Sequence, residues 1–222
     1  MTTVERKPVV TLAALYGAGG TVVGPEVAER LGVPFFDRQI PDWVAERAGL
    51  PRDAVGDVDE GPRSSVDRLM SILGRASTLS GATEASAGTL DLEERRLRGY
   101  IEEVLARAST SGGVVLGRGG MIVLRDLPSA THVHLRGPRE ARLRQALAIE
   151  GLDHDATERR QRIEDQARIE YVRRAYGVNG EDPSLYHLIL DSTALDLDTC
   201  ADLIVAASRG RTHTQRPALV PE

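Results

Sequence analysis

The stretch PVVTLAALYGAGGTVVGPEVAERLGVPFFD, residues 8–37, decides the fold class. Its opening run, Pro8–Leu15, is apolar and rich in β-branched residues, as a strand buried on both faces should be. Tyr16–Gly20, YGAGG, is a glycine-rich turn. Val22–Leu31 then sets Val23, Val27, Ala28 and Leu31 on one helical face. Gly32 stands where a helix-ending glycine belongs, and Val33–Asp37 reads as a second short strand. Strand, glycine loop, helix and strand in that order open a parallel α/β sheet.

A glycine loop between a buried strand and a helix suits an anion. Glycines adopt positive φ and let backbone N–H groups converge on phosphate oxygens, and the helix that follows points its positive end at the same place. The spacing departs from both standard patterns. The P-loop, G-x-x-x-x-G-K-[ST], has its first glycine at Ala14 and its lysine at Gly20, while Thr21 keeps the hydroxyl position that faces Mg²⁺. The dinucleotide fingerprint would need glycine at Val22. Gly17, Ala18, Gly19, Gly20, Thr21 and Val22 are thus the candidate phosphate cradle. The competing reading is a tight strand–helix turn with no ligand.

Beyond residue 37, Ile40–Gly49 and the stretch SSVDRLMSILGRA, Ser64–Ala76, carry helical patterns, and Ser77–Gly88 is a small-residue loop expected to move. A helix is expected over Leu92–Ala108, then GVVLGRGG as strand and turn, MIVLRD as a short helix and ATHVHLRG as a fourth strand. Arg139–Glu150 and Ala156–Tyr176 are helical, the second highly charged with little apolar face. Leu185–Thr193 reads as the last strand and Leu197–Ala207 as the closing helix.

The chain has 222 residues, 41% hydrophobic and 27% charged, which suits one α/β domain. No apolar run approaches the roughly 20 residues that span a bilayer, and no signal-peptide core opens the sequence, so a cytoplasmic protein without membrane attachment is expected. A net charge of −5 argues against a general nucleic-acid binder. Cys200 is the single cysteine, which excludes an internal disulfide framework. Lys7 is the only lysine among 28 basic residues, so lysine-based covalent chemistry has one candidate, in a terminal segment. Arginine cannot shuttle protons, but its planar fork of donors suits phosphate. A compositional bias toward arginine accounts for the number but not for the placement. Ten arginines lie from Arg136 to Arg174. His132 and His134 alternate on a strand without a third metal ligand and read as structural, as does His154. Cys200 falls in an apolar helical pattern. Trp43, Tyr171 and Tyr176 could stack on a base or simply pack.

YGAGGTVVGPEVAERLGVPFFDR, VVLGRGG, IEDQARIEYVRRAYG and LILDST, separated and in this order over roughly residues 9–207, resemble the cytidylate kinase-like family, a divergent branch of bacterial nucleoside monophosphate kinases. The resemblance implies a three-layer P-loop kinase-like fold: a five-stranded parallel sheet with flanking helices and a helical lid. It implies one domain over 9–207, with an acceptor-side helical insert at 39–90 and a lid at 151–182; 1–8 and 209–222 are expected to be disordered tails. It implies ATP and Mg²⁺ as cofactors, with Gly17–Thr21 on the triphosphate and Thr21 as a metal ligand. Asp37 and Arg38 would stand at the acceptor entrance, and Arg118 would hold the acceptor phosphate. Arg162, Asp165 and Arg168 lie in the lid segment; spaced i, i+3, i+6, they are expected to share much of one face, with Asp165 aiming the two guanidiniums. The alternative there is a solvated helix with surface ion pairs of little worth. Asp191–Thr193 would lead toward the adenine side.

Gly20 replaces the P-loop lysine, as is usual in this branch. Leu116 and Gly119 stand where a cytidylate kinase carries acidic residues around the arginine. Two functions follow from the resemblance: an ATP-dependent phosphotransferase acting on a nucleotide or related small phosphoacceptor, or a nucleotide-binding regulatory or scaffold protein with lost or weak turnover. Either would bind nucleotide, and a homo-oligomer is compatible with both.

Overall fold

Strand β1 (Val9–Ala14) runs through the middle of the sheet, paired in parallel on both sides. In the computed structural model, which describes residues 7–36, 99, 102–151 and 153–213, its neighbours are β3 (Gly113–Leu116) and β4 (Ala130–Arg136). Val9 faces Gly113 on one side and Ala130 on the other. The short β2 (Phe35–Phe36) adds to β3, and β5 (Leu188–Asp191) adds to β4, giving the order β2-β3-β1-β4-β5. A central strand covered by helices on both faces must be apolar throughout. Val9, Val10, Leu12, Val114, Leu116, Val133 and Leu135 are accordingly buried without alternation.

Helix α1 (Gly20–Leu31) turns Val23, Gly24, Val27 and Ala28 inward. Gly24 is what lets it lie close to the sheet, because a Cβ there would come within 2.5 Å of the Phe35 ring. The helix stops at Gly32, left-handed at φ 64°, with the Gly32 and Val33 N–H groups donating to the Glu29 and Ala28 carbonyls. Helix α2 covers 102–111 and α3 Gly120–Val123. Helices α4 (Arg139–Glu150) and α5 (His154–Tyr176) follow β4. Helix α6 (Leu197–His213) packs Cys200, Ala201, Ile204 and Val205 into the same core as α1. Ile204→Ala would leave a hole there costing about 2–5 kcal/mol.

The expected elements are found with shifted ends. The second strand is shorter than Val33–Asp37, and the last is preceded by a 3-10 turn at Pro183–Leu185. The closing helix is the larger correction. It continues through 208–213, past the expected end at Ala207 and into the expected tail, because Ser208 is buried and Arg211 Nε donates to the Ala130 carbonyl at 2.7 Å. The insert at 39–90, with Ile40–Gly49, Trp43 and Ser77–Gly88, lies outside the described residues.

The two halves of the sheet extend from β1 in opposite directions, so a crevice opens beside its carboxyl end, where open α/β sheets bind ligands. The glycine loop, the turn after β3 and helix α5 meet there.

Candidate functional site

At the end of β1 the chain makes a tight loop through two left-handed glycines, Gly17 at φ 75° and Gly19 at φ 73°. Its carbonyls are held from outside. Gln145 Nε2 donates to Gly17 O at 3.0 Å, Ser192 Oγ donates to Ala18 O at 2.8 Å, and the Arg142 guanidinium donates to Tyr16 O. Among the described residues the N–H groups of Gly17, Gly19, Gly20 and Thr21 meet no acceptor. Convergent donors at a helix start form a cradle for an anion. Thr21 and Val22 are exposed on the first turn of α1.

Two loop donors are already taken. The Ala18 N–H donates to the Leu15 carbonyl at 3.0 Å. The Tyr16 N–H donates to Asp165 Oδ1 of α5 at 2.7 Å, and Asp165 Oδ2 lies 2.9 Å from Nη1 of Arg142. Helix α5 is fastened by further charge pairs. Arg160 bridges Glu150 (3.2 Å) and Glu164 (2.6 Å), and Arg168 pairs with Glu164 while its Nη1 donates to Ala14 O at 3.0 Å. The side chains that α5 buries fully are polar: Thr157, Gln161 and Glu164.

Across the crevice, the turn after β3 carries three successive left-handed residues, Gly117, Arg118 and Gly119. Arg118, at φ 63°, is the only such non-glycine residue among those described. That conformation is uncommon for a residue with a Cβ. Gly119 is pressed against the end of α5: a Cβ there would come within 2.3 Å of the Tyr176 ring, whose hydroxyl donates to Arg118 O at 3.2 Å. Arg118 is 8% exposed and lines a cavity of about 100 Å³ with Ala14, Leu15, His134, Arg168 and Glu181. Burial pushes His134 down to about 4, so it stands neutral against the cavity wall, stacked on Tyr186. Burial raises Glu181, whose carboxylate lies 3.7 Å from the His134 ring.

A model of the cytidylate kinase-like family matches residues 9–194, from the first residue of β1 to the turn after β5. The chain belongs to the cytidylate kinase-like family. The cytidylate kinase of Methanopyrus kandleri is 25% identical over 203 residues, covering 90% of this chain and 92% of that protein. A match to the uronate isomerase of Corynebacterium glutamicum, 27% identical over 142 residues, covers 64% of this chain but spans only 27% of that protein. Among solved structures, an uncharacterized protein from Eubacterium ventriosum matches with a TM-score of 0.62 at 16% identity, over 92% of this chain and 99% of that one. A shikimate kinase from Acinetobacter baumannii, solved in complex with shikimate, matches with a TM-score of 0.51 at 16% identity, over 95% and 97%. The likeness to solved structures is one of fold: a parallel five-stranded sheet with flanking helices, as in P-loop kinases.

In this cytidylate kinase-like protein, Gly17–Val22 form the loop and the start of α1, Arg118 and Arg168 share the cavity, and Asp165 reaches the loop. Arg162 does not join them. Six residues along an α-helix turn by about 120° from the starting direction, and Arg162 is exposed while Arg168 points inward. Asp165 aims Arg142 rather than Arg162. Asp37 and Arg38 lie outside the described residues. His132 is structural in its contacts: Thr11 Oγ1 lies 2.7 Å from its Nδ1, and its ring stacks on His187. Among the described residues no group of three or more His, Cys, Asp or Glu side chains is placed to hold a metal, and no helix is long and apolar enough to cross a membrane.

Arg142 is the residue that sequence reasoning missed. It sits in an arginine-rich helix where solvent exposure is the default, yet it lies one turn before the buried Ala146 on the inward face of α4. That i, i+4 relation was the available signal.

Proposed function

We propose that this protein is an ATP-dependent phosphotransferase acting on a nucleotide or related small phosphoacceptor. The observation that carries the reading is the set of loop donors without acceptors, Gly17, Gly19, Gly20 and Thr21, next to a cavity walled by two arginines. The loop would hold the triphosphate. Arg118 would hold the anionic group of the acceptor through two parallel hydrogen bonds, and Arg168 would neutralise charge on the transferring group. Asp37 and Arg38 would guide the acceptor into this pocket. Phosphoryl transfer asks the protein mainly for positioning and charge neutralisation, which backbone donors and arginines can supply.

The donor set fits magnesium in the manner of nucleotide sites. Mg²⁺ keeps several waters and takes most other ligands from phosphates, so the exposed Thr21 hydroxyl at the start of α1 would be one protein ligand beside the cradle. Bound there, the ion would neutralise part of the phosphate charge.

A second reading, a nucleotide-binding regulatory or scaffold protein, is favoured by two features: Gly20 in place of the loop lysine, and the Asp165 carboxylate on the Tyr16 N–H. A thermal-shift panel of nucleotides followed by coupled ADP release over a broad acceptor panel decides. Stabilisation with acceptor-dependent ADP release supports the enzyme; stabilisation without turnover supports the regulatory protein; no response to any nucleotide refutes both.

A further inference from the structure

A carboxylate of the lid helix occupies an anion site built by other elements. Asp165 Oδ1 accepts the Tyr16 N–H at 2.7 Å, its Oδ2 pairs with Arg142 Nη1 at 2.9 Å, and Arg168 Nη1 stands 3.9 Å from Oδ1. The two close donors come from the glycine loop and α4, while Arg168 of α5 itself stands farther off. Arg142 is fixed from behind by the carbonyls of Gly137 (3.0 Å) and Tyr16, and its side chain is 6% exposed. Guanidinium does not lose its proton in proteins, so a buried one requires a counter-anion. Here the counter-anion belongs to an element whose fully buried side chains are all polar.

The loop itself carries no cation. Gly20 stands at the lysine position, and Lys7 lies before β1, at the edge of the sheet opposite the loop. Arg142, by contrast, is held against the loop by the Tyr16 carbonyl. We propose that Arg142 and the Tyr16 N–H form a phosphate subsite in which Arg142 supplies the charge that Gly20 lacks, and that Asp165 is an internal competitor filling this subsite until a polyphosphate displaces it. The inference rests on the reading of the glycine loop as a phosphate cradle. The exchange replaces one anion by another, so Arg142 is never left without a partner. The arriving phosphate repels the departing carboxylate, so Asp165 gives up the loop while Arg168, on the same helix beside it, turns to the bound phosphate and holds α5 over it. Asp165 is in this view a positioning residue and Arg142 a binding residue.

The test is titration calorimetry of inorganic tripolyphosphate and of ADP against the wild-type chain, Asp165→Asn and Asp165→Ser, with circular dichroism confirming that each is folded. Asparagine keeps the shape and can still accept the Tyr16 N–H, but it carries no charge. Both variants should bind both ligands about ten-fold more tightly, the factor recovered when a site occluded about nine-tenths of the time is freed. Hydrogen exchange in 154–176 should also be faster in the unliganded variants than in the wild type. Unchanged or weaker affinity in folded variants, with the wild type binding, overturns the internal competitor and leaves the cradle standing. No binding of either ligand to any of the three chains overturns the cradle itself, and the competitor with it.

Discussion

Replacing Gly17 by alanine measures how firmly the loop is clamped beneath α4, and Gly32→Ala supplies the matching reference. Both glycines are left-handed, at φ 75° and 64°, so each variant incurs the same conformational cost, about 1–2 kcal/mol. They differ in what the new Cβ meets. At Gly32 nothing lies within 4 Å, whereas at Gly17 the Cβ would fall 2.2 Å from the Arg142 carbonyl oxygen and 2.8 Å from its carbon. Those atoms are helix backbone and cannot swing aside, so loop and α4 must separate. Overpacking of this kind costs about 1–3 kcal/mol. Weakening the Gln145–Gly17 and Arg142–Tyr16 hydrogen bonds adds about 1 kcal/mol for each. Gly32→Ala should therefore lose about 1–2 kcal/mol and Gly17→Ala about 4–7 kcal/mol. At about 2–4 °C per kcal/mol for a chain of this size, the gap in melting temperature is about 10 °C. Thermal melts and urea titrations of both variants check this. Losses within about 1 kcal/mol of each other would refute the clamp, and with it the claim that α4 holds the loop carbonyls in place.

Stability should fall as the pH is lowered from 7 toward 4. Burial holds His132 and His134 down to about 4, so the unfolded chain, with ordinary histidines near 6.5, takes up more protons in that window and is favoured by it. Melting temperatures across this range should decline less steeply in folded His134→Gln than in the wild type; parallel curves would show that His134 does not contribute. Arg118→Lys keeps the charge but loses the planar fork, and should lower acceptor-dependent turnover at least about ten-fold with little change in ATP affinity; lost stability with intact turnover would remove Arg118 from the acceptor site. Nucleotide should slow hydrogen exchange in 158–176 once the lid closes over it, whereas equal protection with and without ligand would mark α5 as a static part of the fold. Gly20→Lys should not raise turnover, because Gly20 is buried and a long cation would compete with the one Arg142 supplies; a large gain in a coupled assay would contradict this.

The sheet was legible because β1 and β3 are buried on both faces and spell almost wholly apolar runs and β4 buries Ala130, Val133 and Leu135 between its polar residues, while glycines mark the turns at 17–20, 32 and 117–119. The loop was legible for the same reason, since left-handed backbone demands glycine at Gly17 and Gly19. The charged elements were not. Periodicity in α5 is carried by polar residues, so hydropathy could not separate the inward Asp165 and Arg168 from the outward Arg162. Arg142 looked like one surface arginine among ten. Its burial depends on the Tyr16 carbonyl and the Asp165 carboxylate, both from distant segments, and only its place one turn before Ala146 marks it locally. The length of α6 was misjudged because Ser208 and Arg211 are polar, yet each finds a place against the core.

The polar underside of α5 has a thermodynamic consequence. Unfolding and most docking events carry a large heat-capacity change because they move hydrocarbon between water and an apolar interior. Lifting residues 154–168 of α5 away from the loop, with the Tyr171–Tyr176 end still packed, would expose chiefly Asp165, Glu164, Arg160, Gln161 and Thr157, groups that water solvates well. The opening equilibrium should therefore have a small heat-capacity change and vary little with temperature. Ionic strength should govern it instead, through screening of the Arg160, Arg142 and Arg168 pairs as they become accessible. An opened molecule would also present little additional sticky surface, so this helix can move repeatedly without raising the risk of aggregation.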